Sequence, residues 1–274
     1  MHGSGRAFRS FLQGESLMPE GLYRGDTLSL SQLEEFEEDL ISFCDRALEL
    51  VGDPSSLDVL YAGGASPLWL EGLAERIGPE GSLTAFDADE ERVSQARDWL
   101  ARAGLPCRVW VLAGDVFAPP FPASSFDLVY SAGMLHELDV SRGPAEDVLR
   151  ALAETLRPGG RLATEDFVNS VAAAQLEDEA IEDALRRATG EEPYGIGSRE
   201  RLISLHRQEL EAVSWRALPP FGIRHMDRAF LASGEPEGMD DPLRKRWLAL
   251  RERVRREGYT RPATLYVEGT PAAG

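Results

Sequence analysis

From Leu57 to Phe167 the chain repeats one texture: a short, almost continuously apolar run, then a longer segment whose apolar residues recur at helical spacing. Runs that are apolar on both faces of the pleat suit strands covered on both sides, and their alternation with helices is the pattern of parallel βαβ units. The predicted strands are Leu57 to Ala62, Ser82 to Asp87, Cys107 to Leu112, Phe126 to Ser131 and Gly160 to Asp166. The helices between them are Pro67 to Ile77, Glu90 to Ala103 and Ala145 to Leu156. Pro67 suits a first helical position, where its missing N–H removes no bond the helix would have made.

Residues 1 to 28 keep no sustained period and read as an arm whose order depends on docking. From Leu33, the residues Phe36, Leu40, Phe43, Ala47 and Leu50 fall on one helical stripe with acids between them. That helix caps the domain or makes a dimer contact. Beyond Val168, Ala173, Leu176, Ile181 and Leu185 mark another amphipathic helix, followed by a helix from Arg199 to Leu210 and a strand from Val213 to Leu218. A helical stretch through Leu243, Trp247, Leu250 and Val254 precedes a closing strand, Ala263 to Glu268. The expected division is an arm and capping helix over 1–50, a core over 51–170, and helical insertions with closing strands over 171–274 that complete the same domain.

Composition excludes several function classes. A chain of 274 residues with 43% apolar content can bury one substantial core. With 47 acidic against 29 basic residues and a net charge of -18, it is repelled by a phosphate backbone, so nucleic acid is not an expected partner. Cys44 and Cys107 lie far apart with no clustered histidines, which argues against a zinc site and fits a reducing, cytoplasmic compartment. No apolar run approaches the roughly 20 residues that span a bilayer. The expectation is a soluble monomer or homodimer acting on a small molecule, without a metal.

The first strand runs into Gly63-Gly64-Ala65-Ser66-Pro67 and then a helix. Small residues there let a ligand approach backbone, and the helix N-terminus offers unpaired N–H groups. Ala65 and Leu68 stand where a G-x-G-x-x-G dinucleotide loop needs glycines, so a nicotinamide-dependent oxidoreductase is disfavoured. Asp87 ends the second strand, where a carboxylate accepts hydrogen bonds from ribose hydroxyls. Gly114-Asp115-Val116, Pro120-Phe121-Pro122 and Ser125-Phe126-Asp127-Leu128-Val129-Tyr130-Ser131 follow in order.

On this ordered string, with Met134-Leu135-His136-Glu137-Leu138 and the turn Leu156-Arg157-Pro158-Gly159-Gly160, the sequence resembles the class I S-adenosyl-L-methionine (SAM) methyltransferases, in particular the group that includes the ubiquinone and menaquinone C-methyltransferases. The resemblance implies an α/β fold of Rossmann-like type: a mostly parallel seven-stranded sheet with helices on both faces, plus added N- and C-terminal helices. It implies SAM as cofactor, held by Tyr61, Gly63, Gly64 and Ala65 around the first loop, Asp87 and Ala88 at the ribose, Asp115 and Val116 at the adenine, and Ser131 near the transferred methyl. His136 falls where the family often places a histidine near the acceptor; its imidazole either takes a proton or merely packs at the pocket wall. Glu137 and Glu165 are candidates to orient a substrate or bind a cation, against the plainer reading of solvated acids at strand ends, and Tyr23 and Arg24 are candidates to form a lid.

The loop departs from the family's acid-x-Gly-x-Gly-x-Gly: Tyr61 replaces the acid, Ala65 the second glycine and Pro67 the third. Asp58 has the opposite pleat parity to Tyr61 and is no obvious substitute. Two readings therefore stand: a methyltransferase for a small acceptor, or a methyltransferase fold kept as a non-catalytic binding or partner subunit.

Overall fold

The computed structural model describes residues 28–169 and 172–272. Tyr23 and Arg24 lie outside the described residues. Helix α1 (Leu30–Val51) precedes β1 (Asp58–Ala62), α2 (Pro67–Ile77), β2 (Ser82–Asp87), α3 (Glu90–Ala103) and β3 (Arg108–Ala113). Then come β4 (Phe126–Ala132), α4 (Ala145–Glu154), β5 (Leu156–Val168), α5 (Ala173–Ala188), α6 (Arg199–Glu209) and β6 (Leu210–Leu218). The chain closes with α7 (Met226–Ala232), α8 (Asp241–Glu257) and β7 (Ala263–Pro271).

The strands form one seven-stranded sheet in the order β3-β2-β1-β4-β5-β7-β6. Pairings from β3 through β5 are parallel, and β7 runs antiparallel between β5 and β6. The expected fold class is the observed one. Each central strand divides its side chains between two cores: Leu60, Ala62 and Phe86 meet Val148, Leu149 and Leu202 of α4 and α6 on one face. Val59, Tyr61 and Leu83 meet Leu48, Leu70 and Trp99 of α1, α2 and α3 on the other. Both faces being covered explains why the central runs lack polar alternation.

α1 starts before Leu33 because Ser29 and Gln32 cap it reciprocally: the Gln32 N–H donates to Ser29 Oγ, and the Ser29 N–H donates to Gln32 Oε1 at 3.0 Å. It lies close on α2, where a Cβ on Gly72 would come within 2.7 Å of Leu48 Cδ1. Arg224 and His225, just before α7, bind Asp39 at 3.0 Å and Glu35 at 2.9 Å on α1. α7 has too few turns to show a period in sequence. β5 begins at Leu156, where a helix end was expected, because Leu156 pairs with Phe126 across the sheet. A third cluster, with Ala174 and Ile181 of α5 and Trp247, Leu250 and Val254 of α8, stands apart from the two sheet cores.

Candidate active site

The order of strands reverses between β1 and β4, and at the carboxyl ends of open α/β sheets such a reversal leaves a crevice. A cleft of about 430 Å³ opens there, lined by the Gly63 to Pro67 loop, Asp87, Arg92 and Gln95 of α3, Ala132, Gly133 and Glu137. The loop is held from beneath: the Gly63 and Gly64 N–H groups both donate to the Phe86 carbonyl, at 3.0 and 3.1 Å. Gly63 has φ +69, and a Cβ there would collide with Met134, so no other residue suits it. Ser66 is the N-cap of α2 but makes no side-chain cap bond, and Ser66, Pro67 and Trp69 at the start of that helix line the cleft.

Tyr61 fills the space below the loop. Its ring is buried, stacks on Tyr130 with centroids 6.0 Å apart, and tilts against Trp69 at 6.4 Å. A Cβ on Gly64 would lie 2.5 Å from the Tyr61 hydroxyl oxygen, so glycine here makes room for the tyrosine. Ala65 is 5% exposed and turns into the same apolar cluster. Neither the Tyr61 ring nor the Ala65 methyl closes the cleft. Asp58 lies at the opposite end of β1, bound to Ser82 Oγ at 2.5 Å and to Arg157 at 2.9 Å, so it does not replace a cleft carboxylate.

The Asp87 carboxylate faces the cleft while its Oδ1 accepts the Asp89 N–H at 2.9 Å. Tyr61, Gly63, Gly64, Ala65, Asp87 and Glu137 thus come together; Ala88, Asp115, Val116 and Ser131 do not line this cavity. Ala88 is exposed beside it. Asp115 accepts the Phe117 N–H at 3.0 Å and pairs with Arg142, whose guanidinium also lies 5.0 Å from the Phe117 ring centroid. Val116 packs on the α4 and α6 core, and Ser131 is buried with no partner for its hydroxyl. Trp69, Arg92 and Gln95 are cleft residues that sequence reasoning missed; the spacing of Arg92 and Gln95, one turn apart just after the Asp87 strand, was their only signal.

Arg92 and Glu137 also line a second chamber of about 240 Å³, with His136 and with Glu179, Glu182, Asp183 and Arg186 of α5. His136 is buried in the short 3-10 turn Leu135–Glu137, and its Nδ1 lies 2.8 Å from Asp166 Oδ1. Burial opposes a charge on this ring, yet the Asp166 carboxylate overcomes it and the pKa is raised to about 9. Glu165 points to the other side of β5; it is 3% exposed, one of its oxygens has no hydrogen-bond partner, and burial pushes it up to about 7. Sequence reasoning singled out Glu165 and missed Asp166. On β5, successive side chains alternate faces, and it is Asp166 that shares the face of His136.

Residues 59–160 match the family model described as a methyltransferase domain. Over 121 residues the chain is 31% identical to the ubiquinone/menaquinone biosynthesis C-methyltransferase of Pseudomonas fluorescens, covering 44% of this chain and 46% of that one. It is 35% identical over 98 residues to 27-O-demethylrifamycin SV methyltransferase of Amycolatopsis mediterranei, covering 36% of this chain and 35% of that one. The chain thus spans under half the length of these relatives. Among solved structures, a SAM-dependent methyltransferase from Aquifex aeolicus superposes with a TM-score of 0.50 at 18% identity, over 88% of this chain and 94% of that one. The [4+2]-cyclase SpnF superposes with a TM-score of 0.57 at 18% identity, over 97% of this chain and 93% of that one. At such identities the likeness is one of fold.

Proposed function

We propose that this chain, whose residues 59–160 match a methyltransferase domain, is a class I SAM-dependent methyltransferase that transfers the methyl of SAM to a small-molecule acceptor. The observation that carries the reading is a pair of neighbouring cavities that share Arg92 and Glu137: a cleft with an acidic edge at the sheet's switch point, and beside it a chamber lined by His136, whose ring the buried Asp166 holds. The cleft falls within the roughly 300–1,000 Å³ of small-molecule sites. Its polar lining suits the cofactor. Asp87 is placed to accept from ribose hydroxyls, and the uncapped start of α2 is placed to receive a carboxylate.

SAM supplies an activated methyl on a sulfonium that leaves as a neutral thioether. What remains for the protein is positioning and removal of a proton. His136 Nε2, the ring nitrogen not engaged by Asp166, takes the proton that the acceptor's oxygen or nitrogen sheds as it is methylated. Asp166 fixes the ring and favours its charged form, so in the empty site the proton-accepting neutral form grows as pH rises.

Calorimetric titration of the chain with S-adenosylhomocysteine tests this. Saturable binding at micromolar concentrations is expected, weakened at least tenfold by Asp87→Asn. No binding up to millimolar concentration overturns the reading in favour of a fold kept without the reaction, the alternative suggested by Tyr61 in place of an acid.

A further inference from the structure

The cleft has an aromatic inner wall. Tyr61 and Trp69 line it beside the Gly64 to Pro67 loop, and Tyr130 completes the cluster behind them, its ring centroid 6.0 Å from that of Tyr61 and 5.9 Å from that of Trp69. Tyr61 and Tyr130 are buried whereas Trp69 is half-buried, so of the three rings the indole offers the most surface. No carboxylate of β1 stands beneath the loop: position 61 is tyrosine, and Asp58 is tied to Ser82 and Arg157 at the far end of the strand. The acids of the cleft are Asp87, at the end of β2, and Glu137, on the border shared with the second chamber. Arg92 stands on that same border and pairs with Asp89 at 3.3 Å.

A second feature points to a cation on this wall. Ala132 lines the cleft, and Glu165, its partner on β5, shares its face of the sheet. Glu165 is buried, and its Oε1 has no hydrogen-bond partner. Burial pushes its pKa up to about 7, with Arg261 and His136 acting the other way. It stands close behind the rings: burial first, and then this acid, raise the Tyr130 hydroxyl well above its ordinary pKa. Tyr130 Oη is likewise buried without a partner. Two electron-rich oxygens that receive no hydrogen bond therefore back a wall whose ring faces are already negative.

We infer that this wall holds the α-ammonium group of the cofactor's amino-acid end, seated over the Trp69 ring, so that a cation–π contact takes the place of an ion pair. The inference rests on the methyl-transfer reading for the identity of the cofactor. The carboxylate of the same amino acid lies at the start of α2, where Ser66 and Pro67 line the cleft, so the first turn of one helix meets both ends of the zwitterion. An indole attracts the ammonium without a charge of its own to desolvate, which suits a site built against a buried core.

Calorimetry on the full chain tests this with three ligands: S-adenosylhomocysteine, its analogue with hydrogen in place of the α-amino group, and 5′-methylthioadenosine, which lacks the amino-acid end. In the wild type, deleting the amine is expected to cost about tenfold in affinity, against no more than about twofold in Trp69→Leu and about threefold in Trp69→Phe, which keeps a weaker ring face. Binding of 5′-methylthioadenosine within about threefold of wild type shows the adenosine end intact in each variant, and Trp69→Phe carries the test should Trp69→Leu fail to fold. Glu137→Gln should leave the cost of the missing amine unchanged. The inference is overturned if the wild type binds S-adenosylhomocysteine and the deaminated analogue equally, if both Trp69 variants keep the full cost, or if Glu137→Gln abolishes it and so assigns the amine to a carboxylate. Each of those results leaves the methyl-transfer reading standing, whereas a wild type that binds none of the three ligands removes both.

Discussion

Asp166 holds His136 from two directions: its Oδ1 lies 2.8 Å from His136 Nδ1, and its Oδ2 accepts the backbone N–H of Leu135 at 2.6 Å. Oδ1 also accepts the Phe167 N–H at 2.7 Å. One carboxylate at the end of β5 therefore sets both the turn after β4 and the imidazole that the turn presents.

A stability change follows. His136 has a folded pKa of about 9, above the 6.5 of an unperturbed histidine, so the folded state binds the proton more tightly than the unfolded state. The stability this contributes is fully present below pH 6.5 and is lost as pH rises through about 9, amounting to about 3 kcal/mol. Chemical denaturation between pH 6 and 10 reads it as the difference between the wild type and His136→Gln. A constant difference across that range would disprove the buried pair's role.

His206 behaves in the opposite way. Its Nδ1 is 2.7 Å from the Leu202 carbonyl and its Nε2 2.6 Å from Thr164 Oγ1, and burial pushes its pKa down to about 4. Here the unfolded state takes the proton first, so stability present above pH 6.5 is lost as pH falls towards 4, again by about 3 kcal/mol. His206→Gln should flatten the acid limb of an unfolding curve. An unchanged limb would assign acid lability to other groups.

The rate should follow His136. Because the neutral imidazole accepts the proton, kcat/KM rises with pH towards a plateau above about 9. Asp166→Asn removes the charge that holds the pKa up, moves the limb towards pH 6.5, and lowers the plateau by about 100-fold, within the range of general-base effects. A profile measured with the natural acceptor that is flat from pH 6 to 9 would remove His136 from the chemistry.

The sheet was legible because its signals are local. Ser82 to Asp87, Pro67 to Ile77 and Glu90 to Ala103 carry their own boundaries in Asp89, Pro67 and the glycines that follow, and the structure has the same limits. The site was legible only along β1 and β2, where chain order fixes what meets the cleft. Asp166 and the acids of α5 reach His136 from positions 30 or more residues away, through pleat parity and helix docking that no local pattern records. The stripe Gln175, Glu179 and Glu182 was present in sequence, but beside the apolar stripe of the same helix it reads as a solvated face.

The loop itself yields the last prediction, through two adjacent substitutions with unlike outcomes. Gly64→Ala puts a methyl 2.5 to 2.8 Å from the hydroxyl and ring of Tyr61, which is buried against Tyr130 and Trp69 and has nowhere to retreat. The loop must lift, at a cost of about 1–3 kcal/mol, and S-adenosylhomocysteine affinity should fall more than tenfold. Tyr61→Phe in that background, by removing the hydroxyl, should recover part of both. Ala65→Gly, by contrast, removes a methyl at the border of the cleft that also packs in the α1 and α2 core, so it lowers stability by about 1 kcal/mol and leaves affinity within twofold. Thermal melts and calorimetry on the three variants separate the effects. A large gain in affinity from Ala65→Gly would mean that the alanine methyl, and not the tyrosine beneath Gly64, is what limits the cleft.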